Sequence, residues 1–361
     1  MSWFLAFAGF AALIILHEFG HFVAAKRCGM RVERFALFFP PLIVRKRIGE
    51  TEYGIGAIPL GGYVKITGMN PEEELPPDVA PRAFYHQPVW KRIVVIGAGP
   101  LMNVLIAFVI LFFLAFGASK LSTKVFETAK GAPAAGNLLP GDKILAVDGK
   151  RAKPGSVDQQ LAEFRKEISS HKCPGRLEQG CVGATPVMFE VERGGRTLTV
   201  KVKPKYDAQA KRMLVGVAFG ESLHPGPGEA AKLAVDEMWY VTKGTVTALG
   251  RIFEAKQRKQ ISGVVGSYEA TRQSFSQDTR RAFLLLAVIS LSLAIINMFP
   301  FLPLDGGHIF WSLVEKVRGR PVPYRVMEQA GVLGFMLVLI LFYIGLSNDI
   351  GRLTGGGFDT R

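Results

Sequence analysis

His17-Glu18-Phe19-Gly20-His21 lies inside residues 3–25, a stretch that is otherwise apolar and long enough to cross a membrane as a helix. Residues four apart share one helical face. The motif therefore places two imidazoles one turn apart with a carboxylate beside them. Two histidines and a third ligand make a catalytic zinc arrangement, and the glutamate is the expected general base. Ionisable groups at membrane depth are costly and usually functional, so the motif predicts hydrolysis at the membrane.

Outward from this motif, residues 93–118, 282–304 and 330–348 carry no charged side chain. Each is long enough to span roughly 30 Å of hydrocarbon as a helix. The expected fold is a polytopic α-helical membrane protein with four transmembrane helices. A cleaved signal peptide fits the first stretch poorly, because Met1-Ser2 has no basic region and the apolar run is too long.

The net charge of +14 is unevenly placed. Residues 26–92 hold 11 Lys and Arg, and Lys316, Arg318, Arg320 and Arg325 follow the third span. The positive-inside pattern puts 26–92 and 305–329 in the cytosol, and both termini and residues 120–281 outside. The surplus is expected to meet anionic headgroups rather than nucleic acid.

Residues 42–44, 53–58 and 63–66 read as short strands, with Gly61-Gly62 as a turn. Residues 70–81 read as a loop. Beyond the second span, Asp148-Gly149 and Gly194-Gly195 mark hairpins and 157–169 a helix, which predicts a small α+β external domain. Cys173 and Cys181 fall in it, as a disulfide or as two free thiols; Cys28 is expected to be cytosolic and reduced. Residues 229–260 read as an interfacial helix or as a linker helix packed on the external domain. The expected domains are 1–119, with helices one and two, the zinc motif and a cytosolic β-type loop; 120–220, external; 221–281, a linker; and 282–361, with helices three and four.

Zinc needs a third protein ligand and an open position. Asp305 ends the third span in Asn297-Met-Phe-Pro-Phe-Leu-Pro-Leu-Asp-Gly-Gly307, where Pro300 and Pro303 disturb the helix and two glycines free the backbone. His308 is a competing ligand or a residue behind the ligands.

With these residues in place, the chain resembles the site-2 protease family of intramembrane zinc metalloproteases, in the bacterial regulator-of-sigma-E protease branch. Further matches are Gly61-Gly62-Tyr63-Val64-Lys65, Pro88-Val89-Trp90-Lys91-Arg92, Ala98-Gly99-Pro100-Leu101-Met102-Asn103 and Ser262-Gly263. The resemblance implies one Zn2+ per chain on His17, His21 and Asp305, with Glu18 activating water. It implies substrate contacts for Asn297 and Pro300, with Gly61, Gly62 and Tyr63 on the strand-like segment. It also implies a PDZ-like external domain, carried by Pro140-Gly141-Asp142-Lys143-Ile144-Leu145 and able to contact the substrate's external part. The expected reaction is cleavage of a single-span membrane protein, such as a pre-cleaved anti-sigma factor, in the bacterial cytoplasmic membrane. The chain departs from the family at Leu37-Phe38-Phe39-Pro40 and at Val264, which bears on loop geometry and substrate preference. A membrane scaffold with a dead site and a metal transporter are rival readings. The intact motif opposes the first, and the lack of repeated halves opposes the second.

Overall fold

The His-Glu-x-x-His stretch occupies the second half of helix α1 (Ser2–Arg27). The computed structural model describes residues 1–70, 72–129, 131–208, 210–251, 254, 258 and 262–355. After α1 the chain forms one long antiparallel hairpin, β1 (Val32–Ile48) and β2 (Thr51–Ile66), closed at Ile48 and Thr51. The tip residue Glu50 accepts from Lys26 at 2.7 Å and from both ends of the Arg82 fork at 2.8 Å. Those bonds hold its carboxyl down to about 2. The hairpin also folds over on itself: residues 34–37 of β1 pair with 62–65 on one side and with 52–55 on the other, so the chain reverses between 37 and 42 and again between 56 and 62, beside the Gly61-Gly62 expected to turn it. Helix α2 (Val89–Ala115) follows.

Residues Phe116–Pro227 form a compact unit of their own. Its strands are β3 (Ser119–Thr128), β4 (Lys143–Val147), β5 (Lys150–Arg151), β6 (Val187–Arg193), β7 (Arg196–Val202), β8 (Lys205–Asp207), β9 (Arg212–Leu214) and β10 (Val217–Ser222). The main sheet runs β10-β3-β4-β6-β7, with β5 on β4. Helix α3 (Val157–Ser170), started by a Ser156–Gln159 capping box, buries Leu161, Phe164 and Ile168 against Val125, Ile144, Val147 and Phe189. The β6–β7 turn uses Gly194 and Gly195, both at positive φ, where a side chain would be strained. Cys173 and Cys181 are bonded, with an S–S distance of 2.10 Å.

Asp142, 1% exposed, accepts from the Leu139 N–H at 2.8 Å and from Arg193 Nε and Nη2 at 2.7 Å each. Burial pushes its carboxyl up, but Arg193 and the Leu139 N–H outweigh it and hold the group below the usual carboxylate range. Asp142→Ala is expected to lower the unfolding temperature of this unit by about 5 °C. The partly exposed Arg193 keeps the loss moderate, because water recovers some of the interaction. A carboxylate with a depressed folded value stabilises fully above its unfolded value near about 4 and loses that contribution as pH falls through the folded one. The melting difference between wild type and variant should therefore shrink on acidification, as differential scanning fluorimetry across pH would show.

The remaining helices are α4 (Pro227–Gly250), α5 (Val264–Gln277), α6 (Thr279–Asn297), α7 (Asp305–Arg318) and α8 (Tyr324–Gly355). Residues Met1–Ala115 and Gly228–Arg361 make up the second compact unit. Four of its helices are long and apolar enough to cross a membrane: Ser2–Arg27, Val89–Ala115, Thr279–Asn297 and Tyr324–Arg352. Large apolar side chains such as Leu101, Phe113 and Leu333 face outward on them, as a lipid solvent requires.

Two parts of this unit differ from expectation. Helix α4 lays Ala234, Met238 and Val241 against Ala107 and Leu111 of α2 and Ala287 and Leu291 of α6. A row of small and apolar residues one turn apart makes it a member of the bundle rather than a linker. The third span stops at Asn297 rather than Leu304. Residues 298–304 are irregular, because Pro300 and Pro303 lack the N–H that a continuing helix needs. A fresh helix, α7, then begins at Asp305.

Candidate metal centre

Three side chains from two helices meet at one point. The Nε2 atoms of His17 and His21 are 3.3 Å apart. Asp305, the first residue of α7, brings Oδ2 to 3.3 Å from one and 3.4 Å from the other. Zinc bonds nitrogen and oxygen at about 2.0–2.1 Å, and two ligands on a tetrahedron of that radius lie about 3.3–3.4 Å apart. The triangle thus has the edge of a zinc tetrahedron with one corner open.

The donor chemistry agrees with the distances. His21 Nδ1 donates to the Val95 carbonyl at 2.9 Å, which leaves the ring's lone pair on Nε2. Asp305 Oδ2 is buried and has no hydrogen-bond partner among the described residues. Lone pairs therefore converge on a point with no proton to share, an arrangement that a cation relieves. His17 Nδ1 lies 3.1 Å from the Asn103 amide. Asn103 is fully buried and its Oδ1 is unpaired; turning the amide by 180° offers that oxygen to an Nδ1 proton and frees His17 Nε2.

Close backbone approach assembles the site. A Cβ on Gly99 of α2 would stand 2.1 Å from His21 Nε2, so only glycine lets α2 pass the ring. A Cβ on Gly62 of β2 would stand 2.1 Å from Glu18 Cγ. The strand segment that begins at Gly62 runs directly over the glutamate. Glu18 is half-buried and within electrostatic reach of both histidines and Asp305.

Other expected residues are placed less directly. Asn297 is the last residue of α6, and Pro300 is exposed in the 298–304 turn. Tyr63 lies on β2, its ring 6.0 Å from Phe39. His308, one turn beyond Asp305, has a buried and unpaired Nδ1 and lies near Asp305 and His21. Sequence reasoning gave no role to Asn103 or to the Val95 carbonyl. A lone asparagine four residues after a glycine in an apolar helix was the available signal for the first. A backbone carbonyl leaves none.

The family model described as Peptidase family M50 matches residues 5–341. The chain belongs to peptidase family M50. A Nostoc sp. protein named as a zinc metalloprotease is 31% identical over 354 residues, covering 94% of this chain and 93% of its own length. One from Clostridium perfringens is 29% identical over 348 residues, covering 96% and 97%. Metalloprotease MmpA of Caulobacter vibrioides is 28% identical over 388 residues, covering 95% and 93%. This M50 member is a multi-pass intramembrane zinc metalloprotease, and His17, His21 and Asp305 are the side chains whose geometry fits the ion.

Proposed function

We propose that this M50 peptidase hydrolyses a peptide bond in or near the transmembrane segment of a single-span membrane protein, with a pre-cleaved anti-sigma factor as the substrate class. The observation that carries the reading is the passage of β2 over Glu18, beside the three-donor triangle and within a unit made of apolar helices. His17, His21 and Asp305 would hold a zinc ion, whose chemistry when bound would be to polarise a carbonyl and acidify a water. Glu18 accepts the proton from that water and returns it to the leaving amine.

A helical substrate must unwind, and its freed backbone groups need partners. Residues 62–66 of β2 pair with β1 along one edge, and their second edge suits strand addition by the unwound segment; residues 52–55 are paired on both sides. Gly61, Gly62 and Tyr63 bring that edge to the catalytic carboxylate. Asn297 and Pro300 flank the same site through the turn that leads to Asp305, with Asn297 donating to a freed carbonyl. Charge asymmetry supports a cytoplasmic-membrane orientation with the active site near the cytosolic side and both termini outside.

The 116–227 unit resembles a PDZ domain. A groove of about 390 Å³ between α3 and β10 is lined by Ile168, Met213, Val215 and Phe219, with Arg165 and Arg212 at its rim. The unit acts as a filter that keeps bulky external domains from the active site. Replacing residues 121–215 by a short linker tests this: a filter predicts premature cleavage of an uncut substrate, and a required receptor predicts loss of cleavage. The whole reading is tested with purified protein in vesicles. A single-span substrate stripped of its external domain should be cut, a chelator should abolish cutting, and added Zn2+ should restore it. Cleavage that survives exhaustive chelation would overturn it.

A further inference from the structure

One ion pair links the helix that carries Asp305 to the helix that orients the two histidines. Arg92 of α2 donates from Nη1 to Glu315 Oε2 of α7 at 3.0 Å and from Nη2 to Oε1 at 2.5 Å. The Arg92 side chain is 2% exposed, its guanidinium lies over the Tyr85 ring at 5.4 Å, and its Nε is buried and unpaired. Such a pair is a poor stabiliser, since desolvation offsets much of the attraction, so its worth lies in geometry.

At 100° per residue, Arg92, Val95, Gly99 and Asn103 fall within an arc of about 80° on α2. This one stripe receives the His21 Nδ1 proton at the Val95 carbonyl, makes room for the His21 ring at Gly99 and meets His17 at Asn103. Arg92 extends the stripe to α7. Asp305 and Glu315 are ten residues apart, about 15 Å along the helix and about 80° around it.

The start of α7 is set by another contact. Gly306 and Gly307 press against the backbone of residues 298–302, where a Cβ would meet Met298 O at 2.3 Å and Leu302 N at 2.4 Å. Two glycines fix how closely the helix approaches but present no side chain to resist its rolling. A carboxylate oxygen about 5 Å from the axis moves about 1 Å in a 10° roll. Metal donors tolerate about 0.2 Å.

We propose that the Arg92–Glu315 pair is a latch that sets the rotation of α7, so that Asp305 reaches the metal in register with His17 and His21. Both are positioning residues; neither touches the reacting atoms. The inference rests on the reading that these three side chains hold zinc.

The test uses the full-length chain in detergent micelles, with zinc affinity measured by chelator competition and coordination geometry by the visible absorption of the cobalt(II)-loaded protein. Glu315→Gln keeps size and loses charge; Arg92→Lys keeps charge and loses the two-bond fork. Each should weaken zinc by about tenfold or more and alter the cobalt bands, with helix content unchanged by circular dichroism. The exchanged pair R92E/E315R should recover affinity to within about threefold of wild type. Should Glu315→Gln not purify as a folded protein, Arg92→Lys carries the test. Wild-type affinity and cobalt bands in the folded single variants would overturn the latch. So would an exchanged pair that folds but binds no better than they do. A wild-type chain that takes up no zinc would instead refute the metal-site reading itself.

Discussion

Glu18→Gln is expected to leave zinc bound and to lower peptide hydrolysis by about 10²- to 10⁴-fold, the usual worth of a general base. The substitution keeps the shape of the side chain, so it still fits beneath β2 at Gly62. Among the described residues the donor triangle consists of His17, His21 and Asp305, so the metal keeps its protein ligands. What is lost is a carboxylate able to take and return a proton beside that triangle. Metal analysis of the purified variant and cleavage of a single-span substrate in vesicles read the two effects separately. Cleavage within about threefold of wild type would remove Glu18 from the mechanism.

Gly99→Ala carries the second large effect, and it acts on the metal. The added methyl would lie 2.1 Å from His21 Nε2, 2.5 Å from Cε1 and 2.8 Å from Cδ2. Carbon atoms in contact need about 3.5 Å, so either the ring turns away or α1 and α2 part by about 1 Å. The helices are already in close contact at Gly20, where a Cβ would meet the Ala98 carbonyl oxygen at 2.4 Å. Either response takes one of three ligands off its corner, and zinc affinity should fall by at least about 100-fold, beyond what removing a ligand's supporting partner costs. Gly97→Ala is the control: its nearest neighbour would be Ile309 Cδ1 at 4.0 Å, and zinc should bind as in wild type. Gly62→Ala gives the complementary result. Its methyl would displace Glu18 and leave the donors alone, so zinc should stay while cleavage falls as in Glu18→Gln. Loss of zinc in Gly62→Ala would mean that the hairpin supports the ligands as well.

The residues that were legible in advance share a property. His17, Glu18 and His21 are read from a spacing of four, and the helix under them makes that spacing meaningful without any distant contact. Asp305 was found because a charge at the end of an uncharged run, after two prolines, is anomalous. The Gly194-Gly195 and Asp148-Gly149 turns were legible for the same reason: a positive φ is a local demand. Gly61-Gly62 marks a reversal, but it also answers a demand no local pattern shows: Glu18, more than forty positions away in the chain, leaves no room for a Cβ at Gly62. Helix α4 also resisted prediction. Its partners on α2 and α6 are themselves apolar all round, so nothing in its own pattern names the face it buries.

The sequence by itself determined that four apolar helices carry a hydrolytic metal motif, because hydropathy and a one-turn spacing depend only on neighbouring residues. Only the tertiary structure decided that Asp305 opens a separate helix, that β2 crosses Glu18, and that one stripe of α2 meets both histidines and Glu315 of the Asp305 helix. Those facts depend on approaches too close to admit a Cβ, as at Gly62 and Gly99, and on bonds spanning 74 and 223 residues, His21 to Val95 and Arg92 to Glu315. No periodicity in the chain encodes such pairings; they follow from which faces of the folded helices can come into contact.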